Sequence, residues 1–145
     1  VTWWAVVRFL HVLSAALWVG GQLTVSLVVL PQARRLLDDQ ARARMLHAVG
    51  RRFGLVTGVV LVPLQVLTGL GIAWHKGLTW ASLAEPGYGR ILAVKLALFC
   101  VVMAAAALHG WAAGAGRPRT ARAFAVASLI GSLGVVLLAT ALPAT

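Results

Sequence analysis

Four stretches of this chain are long and apolar enough to cross a lipid bilayer: Trp3 to Leu30, Phe53 to Trp74, Arg90 to Trp111 and Arg122 to Leu142. A hydrocarbon core about 30 Å thick needs roughly 20 consecutive, mostly apolar residues in a helix. No water is present there to satisfy backbone amides and carbonyls, so only helices or closed barrels can span it. None of the four stretches alternates polar and apolar residues as a barrel strand would, so each is expected to be a helix. The expected fold is an all-α integral membrane four-helix bundle, formed by residues 1–145 as a single transmembrane domain.

Composition agrees, with 61% hydrophobic and only 11% charged residues in 145. A formal net charge of +10 would point to nucleic acid in a soluble protein. Here the cations cluster between apolar stretches, so they set topology and no nucleic-acid partner is expected. The first apolar run has no basic segment ahead of it and is about twice the roughly 7–15 residues of a signal-peptide core, which predicts a retained span. The one cysteine, Cys100, lies within the third span and excludes an intrachain disulfide framework.

Arg34, Arg35, Arg42, Arg44, Arg51 and Arg52 fall between spans one and two, and Arg117, Arg119 and Arg122 between spans three and four. The positive-inside rule makes both loops cytoplasmic and leaves the N-terminus, the C-terminus and the loop from His75 to Gly89 outside. That is the topology of a multi-pass protein of the plasma membrane. Trp3, Trp4, Trp74, Trp80 and Tyr88 then form an outer aromatic belt.

The first basic loop is itself periodic. Ala33, Leu36, Leu37, Ala41, Met45, Ala48 and Val49 are spaced by threes and fours, with arginines on the other face. That pattern predicts a basic amphipathic helix lying on anionic headgroups, or equally a cytoplasmic extension of span one. Pro31 favours a break after span one, and Gly50 and Gly54 suggest a turn into span two. Small residues, including Gly54 and Gly58, permit close helix approach, which leaves a homo-oligomer or a larger membrane complex open.

Ionisable groups within a bilayer are costly and are functional candidates by default. Span one places Trp4, Arg8, His11, Ala15, Trp18, Gln22 and Ser26 on one helical face. Span two does so with Gly54, Gly58, Leu61, Gln65, Thr68, Ile72 and His75, and span three with Tyr88, Leu92, Lys95, Phe99, Val102, Ala106 and His109. At about 1.5 Å per residue, His11 lies roughly 12 Å and Lys95 roughly 8 Å below the outer boundary, so the two are expected to share a site in the outer half. His109 is roughly 20 Å deeper than Lys95, near the inner surface with His47.

The outer set of Arg8, His11, His75, Arg90 and Lys95 has no carboxylate within the spans, because the only acids are Asp38, Asp39 and Glu85. An anionic ligand would neutralise it, such as a lipid phosphate or the propionates of a porphyrin, with His11 an axial nitrogen for haem iron. The alternative is that Arg8, Arg90 and Lys95 snorkel to the headgroups while His11 hydrogen-bonds a neighbouring helix. Copper(I) is the other candidate, with His11, Cys100 and Met103 as soft or imidazole ligands. Cys100 and Met103 share a helix face, although both residue types also fill gaps in apolar packing. There is no HExxH, paired carboxylate, Walker or dinucleotide pattern or CxxC, so no catalytic residue is assigned and a hydrolase is not expected.

Three segments carry a family resemblance: FLHVLSAALWVGG in span one followed by LP and basic residues, RRFG opening span two with TG near its end, and YGRILAVKLALF entering span three. Through about residue 112 the chain resembles the CopD-type copper-resistance and copper-uptake membrane proteins. That resemblance implies a copper role and gives His11, Trp18, Tyr88, Arg90 and Lys95 as family-like positions. The chain is also similar in length and layout to the HemJ-type protoporphyrinogen oxidase, a four-helix haem-binding membrane protein, to which His11 and Lys95 would correspond. Trp-Val-Gly-Gly fits the CopD type better, and LHAVGRRFG lacks the acidic and basic pattern of the HemJ type.

The leading expectation is therefore copper binding or translocation at a site formed by spans one and three. A haem b enzyme or electron carrier is the alternative, and an accessory subunit of a larger complex the third reading. The topology is tested by labelling intact cells with a membrane-impermeant thiol reagent. Ala43→Cys and Ala115→Cys should be shielded and Ser82→Cys should react; the reverse pattern would invert every depth assignment.

Overall fold

The computed structural model describes residues 1–142 and is built from four long helices: α1 (Trp3–Leu36), α2 (Asp39–His75), α3 (Tyr88–Gly114) and α4 (Pro118–Ala141). A short 3₁₀ turn, Ala81–Ala84, precedes α3, and there is no strand among the described residues. All four helices are long and apolar enough to cross a membrane, so the all-α membrane fold expected from the sequence is the one adopted. Two compact units are present, Val1–Gly77 and the chain from Leu78 onward.

In the first unit α1 and α2 form an antiparallel hairpin, and its basic segment extends span one to Leu36 and then belongs to the helix of span two. No separate interfacial helix exists between spans one and two. Instead α1 continues through Pro31 to Leu36, the chain is extended at Leu37 and Asp38, and α2 then runs unbroken from Asp39 through Gly50 and Gly54 to His75. The cause is a helix cap. Asp38 has φ −65° and ψ 168°, and its Oδ1 accepts the Ala41 amide at 2.8 Å, which satisfies one of the amide groups left open where a helix starts. The periodicity from Ala33 to Val49 is thus shared between the last turn of one helix and the first half of the next.

Both helices of this hairpin pass through proline. Each proline follows a turn wound with wider, π-type bonding, Val25–Val29 before Pro31 and Thr57–Leu61 before Pro63. Leu30 donates to the Val25 carbonyl and Val62 to the Thr57 carbonyl, five residues back. The carbonyls that the two rings would strike, four residues before each, are those of Leu27 and Val59, inside the widened turns. That local geometry removes the break expected at Pro31.

With 34 and 37 residues, α1 and α2 are about 50 and 55 Å long, against a hydrocarbon core of about 30 Å. Trp3 and Trp74 are 73% and 86% exposed at one end, as boundary tryptophans are. At the other end both helices project about 20 Å past the hydrocarbon, carrying Arg34, Arg35, Arg42 and Arg44.

Small residues let the helices approach. In the first unit the Phe53 ring packs where a Gly21 side chain would stand. In the second unit Val102 and Leu98 of α3 press on Gly131 and Gly134 of α4, with Ala105, Ala112, Ala121, Ser128 and Ser132 buried. Large residues such as Phe9, Leu27, Leu67, Leu70, Val101, Ile130 and Leu137 face outward, as suits lipid contact.

The turn from α3 to α4 is a Schellman motif. Arg117 N–H bonds to Ala112 O at 2.9 Å and Gly116 N–H to Ala113 O at 3.3 Å, with Gly116 at φ +69°. His109 Nδ1 donates to Ala121 O at 2.8 Å, tying the last turns of α3 to the first of α4, and the Arg117 guanidinium lies 5.2 Å from the Trp111 ring centre. Because only glycine holds this φ without a side-chain penalty, Gly116→Ala should destabilise the protein by about 1 kcal/mol and Gly116→Asn by less. Reversible unfolding in mixed detergent measures the difference; equal stability of Gly116→Ala and the parent would contradict the turn.

Candidate functional site

A connected polar cluster lies between α1 and α2 of the first hairpin, surrounded by apolar helix. His11 and Ser14 come from α1, one turn apart, and Gln65 and Thr68 from α2. Ser14 is 1% exposed and Thr68 7%, so each has left both water and lipid.

The hydrogen-bond order follows from which groups have a proton to give. Thr68 Oγ1 lies 2.6 Å from the Leu64 carbonyl of its own helix and 2.9 Å from His11 Nδ1. When its proton goes to Leu64 O, its oxygen accepts from Nδ1–H and the imidazole lone pair is on Nε2, toward the Gln65 amide nitrogen 3.1 Å away. Gln65 Oε1 then accepts from Ser14 Oγ at 2.6 Å. The reverse order serves the same neighbours, with Ser14 Oγ donating instead to the His11 carbonyl, 3.0 Å away, and Thr68 Oγ1 to Nδ1.

Gly69 completes the cradle. A Cβ there would stand 3.2 Å from His11 Cε1, so the imidazole edge rests against bare α2 backbone. With Thr68 fixing Nδ1, the ring has little freedom to turn.

At the tryptophan end of the same hairpin, Trp4 and His75 stack with ring centres 3.9 Å apart and planes 18° from parallel. Trp4 is thus half-buried, whereas Trp3 and Trp74 remain on the surface. Arg8 is exposed and its Nε reaches the Trp4 carbonyl at 3.5 Å.

The other candidates belong to the second unit. On α3, Tyr88 and Lys95 are half-buried and Arg90 exposed. The expected stripe of Leu92, Lys95, Phe99, Val102, Ala106 and His109 is the less exposed face of this helix, while Val94, Leu96 and Val101 lie outward. Cys100 is exposed and Met103, three residues on, is half-buried. Trp18 is buried on α1. His109 is committed to the helix turn described above.

Of the sequence candidates, then, the structure gives His11 a defined set of partners and joins Trp4, Arg8 and His75 at one helix end. Gln65 and Thr68 were visible as members of the polar stripe of span two. Ser14 was not, because it stands beside the stripe of span one; its signal was its position three residues after a histidine within an apolar helix.

The chain is similar to an uncharacterized protein of Aquifex aeolicus (strain VF5), 35% identical over 105 residues. The similarity covers 72% of this chain and 66% of that relative. No family model and no solved structure matches the chain.

The polar cluster predicts a graded response. Gln65→Leu leaves His11 Nε2 and Ser14 without their interhelical partner, and should cost about 1 kcal/mol of hairpin stability, in the range of hydrogen bonds between membrane helices. Ser14→Ala should cost less, because only one bond to Gln65 is lost. Unfolding titrations of both variants check the order, and Ser14→Ala as the more damaging change would contradict the arrangement.

Proposed function

We propose that the protein binds haem b within the membrane, with the His11 imidazole as a protein ligand to the iron. The carrying observation is the 2.9 Å hydrogen bond between His11 Nδ1 and Thr68 Oγ1. Metal-bound imidazoles almost always give their other N–H to a fixed acceptor, which sets the tautomer and aims the coordinating nitrogen. Thr68 would fit that role with its own proton given to Leu64 O, 2.6 Å away.

The donor set favours haem over a bare ion. A porphyrin brings four of the iron's ligands and needs one or two from protein. A copper(I) ion needs all its ligands from the chain, and the hairpin that holds His11 contains no cysteine. The immediate partners of His11 are amide and hydroxyl groups, which are hard donors. Gln65, on the Nε2 side, is the residue that ligand binding would displace.

Bound there, haem would supply one-electron redox chemistry. This chain's residues then orient the imidazole, exclude water from it and balance charge. Arg8 and His75, at the tryptophan end of the hairpin that holds His11, are the candidates for the propionates. The resemblance to the HemJ-type oxidase supports this reading, and electron transfer is the alternative use of the same group. The positive-inside pattern supports placement in the plasma membrane with His11 in the outer half.

Copper handling in the manner of the CopD type is the second reading. Its support is the Trp-Val-Gly-Gly motif and the placing of Cys100 and Met103 one turn apart on α3. Under that reading His11 on the first hairpin, or separately Cys100 with Met103 on α3, would supply ligands.

Absorption spectra and metal analysis of the purified protein separate the two. Haem binding gives a Soret band that is lost in His11→Ala, lowered in Thr68→Val and unchanged in Cys100→Ser. Losing the group that holds a ligating imidazole costs about 10- to 100-fold in metal affinity. Stoichiometric copper without a Soret band, lost in Cys100→Ser, would replace haem by copper.

A further inference from the structure

The arginine end of the first hairpin carries a feature that the cluster at His11 does not use. On α2, Ala48, Val49, Arg52, Phe53 and Val56 share one helix face and line a shallow, open groove whose surface is almost wholly apolar. Arg51 and Arg52 stand three and four residues after Ala48, so both flank it, and both are exposed. Nearby acids are otherwise engaged: Asp38 caps the helix, and Asp39 pairs with Arg42 at 2.8 Å. Among the described residues no carboxylate pairs with Arg51 or Arg52.

The depth of this groove identifies its occupant. Counted from Trp74, about 20 residues bring α2 to the far face of the hydrocarbon near Leu55. Val56 is then inside the hydrocarbon, Arg52 about 5 Å outside it and Ala48 about 10 Å outside. The groove thus crosses the boundary, apolar where acyl chains lie and cationic where phosphates lie. A soluble acidic peptide would meet only its outer part.

We propose that this groove binds one anionic phospholipid of the arginine-side leaflet, its acyl chain along Phe53 and Val56 and its phosphate between Arg51 and Arg52. Arginine suits the phosphate because its planar fork of donors matches the phosphate oxygens. The site is independent of haem or copper at His11.

The test uses the full-length protein in detergent, exposed to an equal mixture of phosphatidylglycerol and phosphatidylcholine, with retained lipid read by mass spectrometry. The parent should retain phosphatidylglycerol in preference. The pair Arg51→Gln and Arg52→Gln should lower that retention by about 30-fold, from the usual attraction of two arginines to anionic headgroups. Val56→Trp should lower it by filling the groove while leaving both charges. The pair Arg34→Gln and Arg35→Gln should retain the lipid, because these residues stand about 17 Å beyond the hydrocarbon on α1. Helical content by circular dichroism confirms folding, and the pair Arg51→Lys and Arg52→Lys should restore part of the binding. Equal loss from the Arg34 and Arg35 pair would show diffuse attraction and overturn the site, as would full retention in Val56→Trp or in the Arg51 and Arg52 glutamine pair.

Discussion

Everything in this protein follows from the need to satisfy backbone hydrogen bonds where there is no water. In hydrocarbon an unpaired amide or carbonyl costs several kcal/mol, so the chain has little freedom except to remain helical. Even the prolines conform, since α1 and α2 widen by one turn ahead of Pro31 and Pro63 and continue. Polar side chains obey the same rule by bonding back to their own helix. Thr24 donates to the Gly20 carbonyl at 2.8 Å, and Thr68 to that of Leu64 at 2.6 Å. An imidazole cannot do this as readily, because its ring holds two nitrogens on opposite edges. His11 must therefore find partners on another helix, and the cluster with Thr68 and Gln65 is the result.

Packing supplies the setting for that cluster. Lipid tails are as apolar as leucine, so helices in a membrane are held by close fit and by polar contacts more than by expulsion of water. Gly69 is where the two meet, since the bare backbone lets the imidazole edge lie against α2. The second hairpin uses the same means: Val102 and Leu98 press on glycines of α4, and His109 closes the turn.

Much of this was legible in the sequence, and the exceptions have local causes. The four helices follow from run length and apolar content alone. The inward stripes of α1, α2 and α3 follow from steps of three and four, and the structure keeps most of those residues on the less exposed face. The amphipathic period runs on across Asp38, whose cap marks a helix start more sharply than periodicity does. At Pro31 the sequence suggests a break because a widened turn leaves no composition signal. At the site, His11 stood out as an ionisable group in an apolar helix, whereas Ser14 is the type of residue that such helices hide against a carbonyl. Hydrogen-bond direction could not be read from the sequence at all, because it depends on which proton Thr68 has already committed.

The two sides of the His11 ring are not equivalent. On the Nδ1 side the partner is Thr68, a short branched side chain fixed by its own bond to Leu64 O. On the Nε2 side the partner is Gln65, a long side chain with several rotatable bonds, which can withdraw if another ligand offers a stronger interaction. Hydrogen bonds between membrane helices average about 0.6 kcal/mol, so releasing the Gln65 contact costs little compared with a coordinate bond to a metal. The cluster thus sets a short, fixed side chain against one edge of the imidazole and a long, adjustable one against the other, so the weaker hold on the ring is at Nε2.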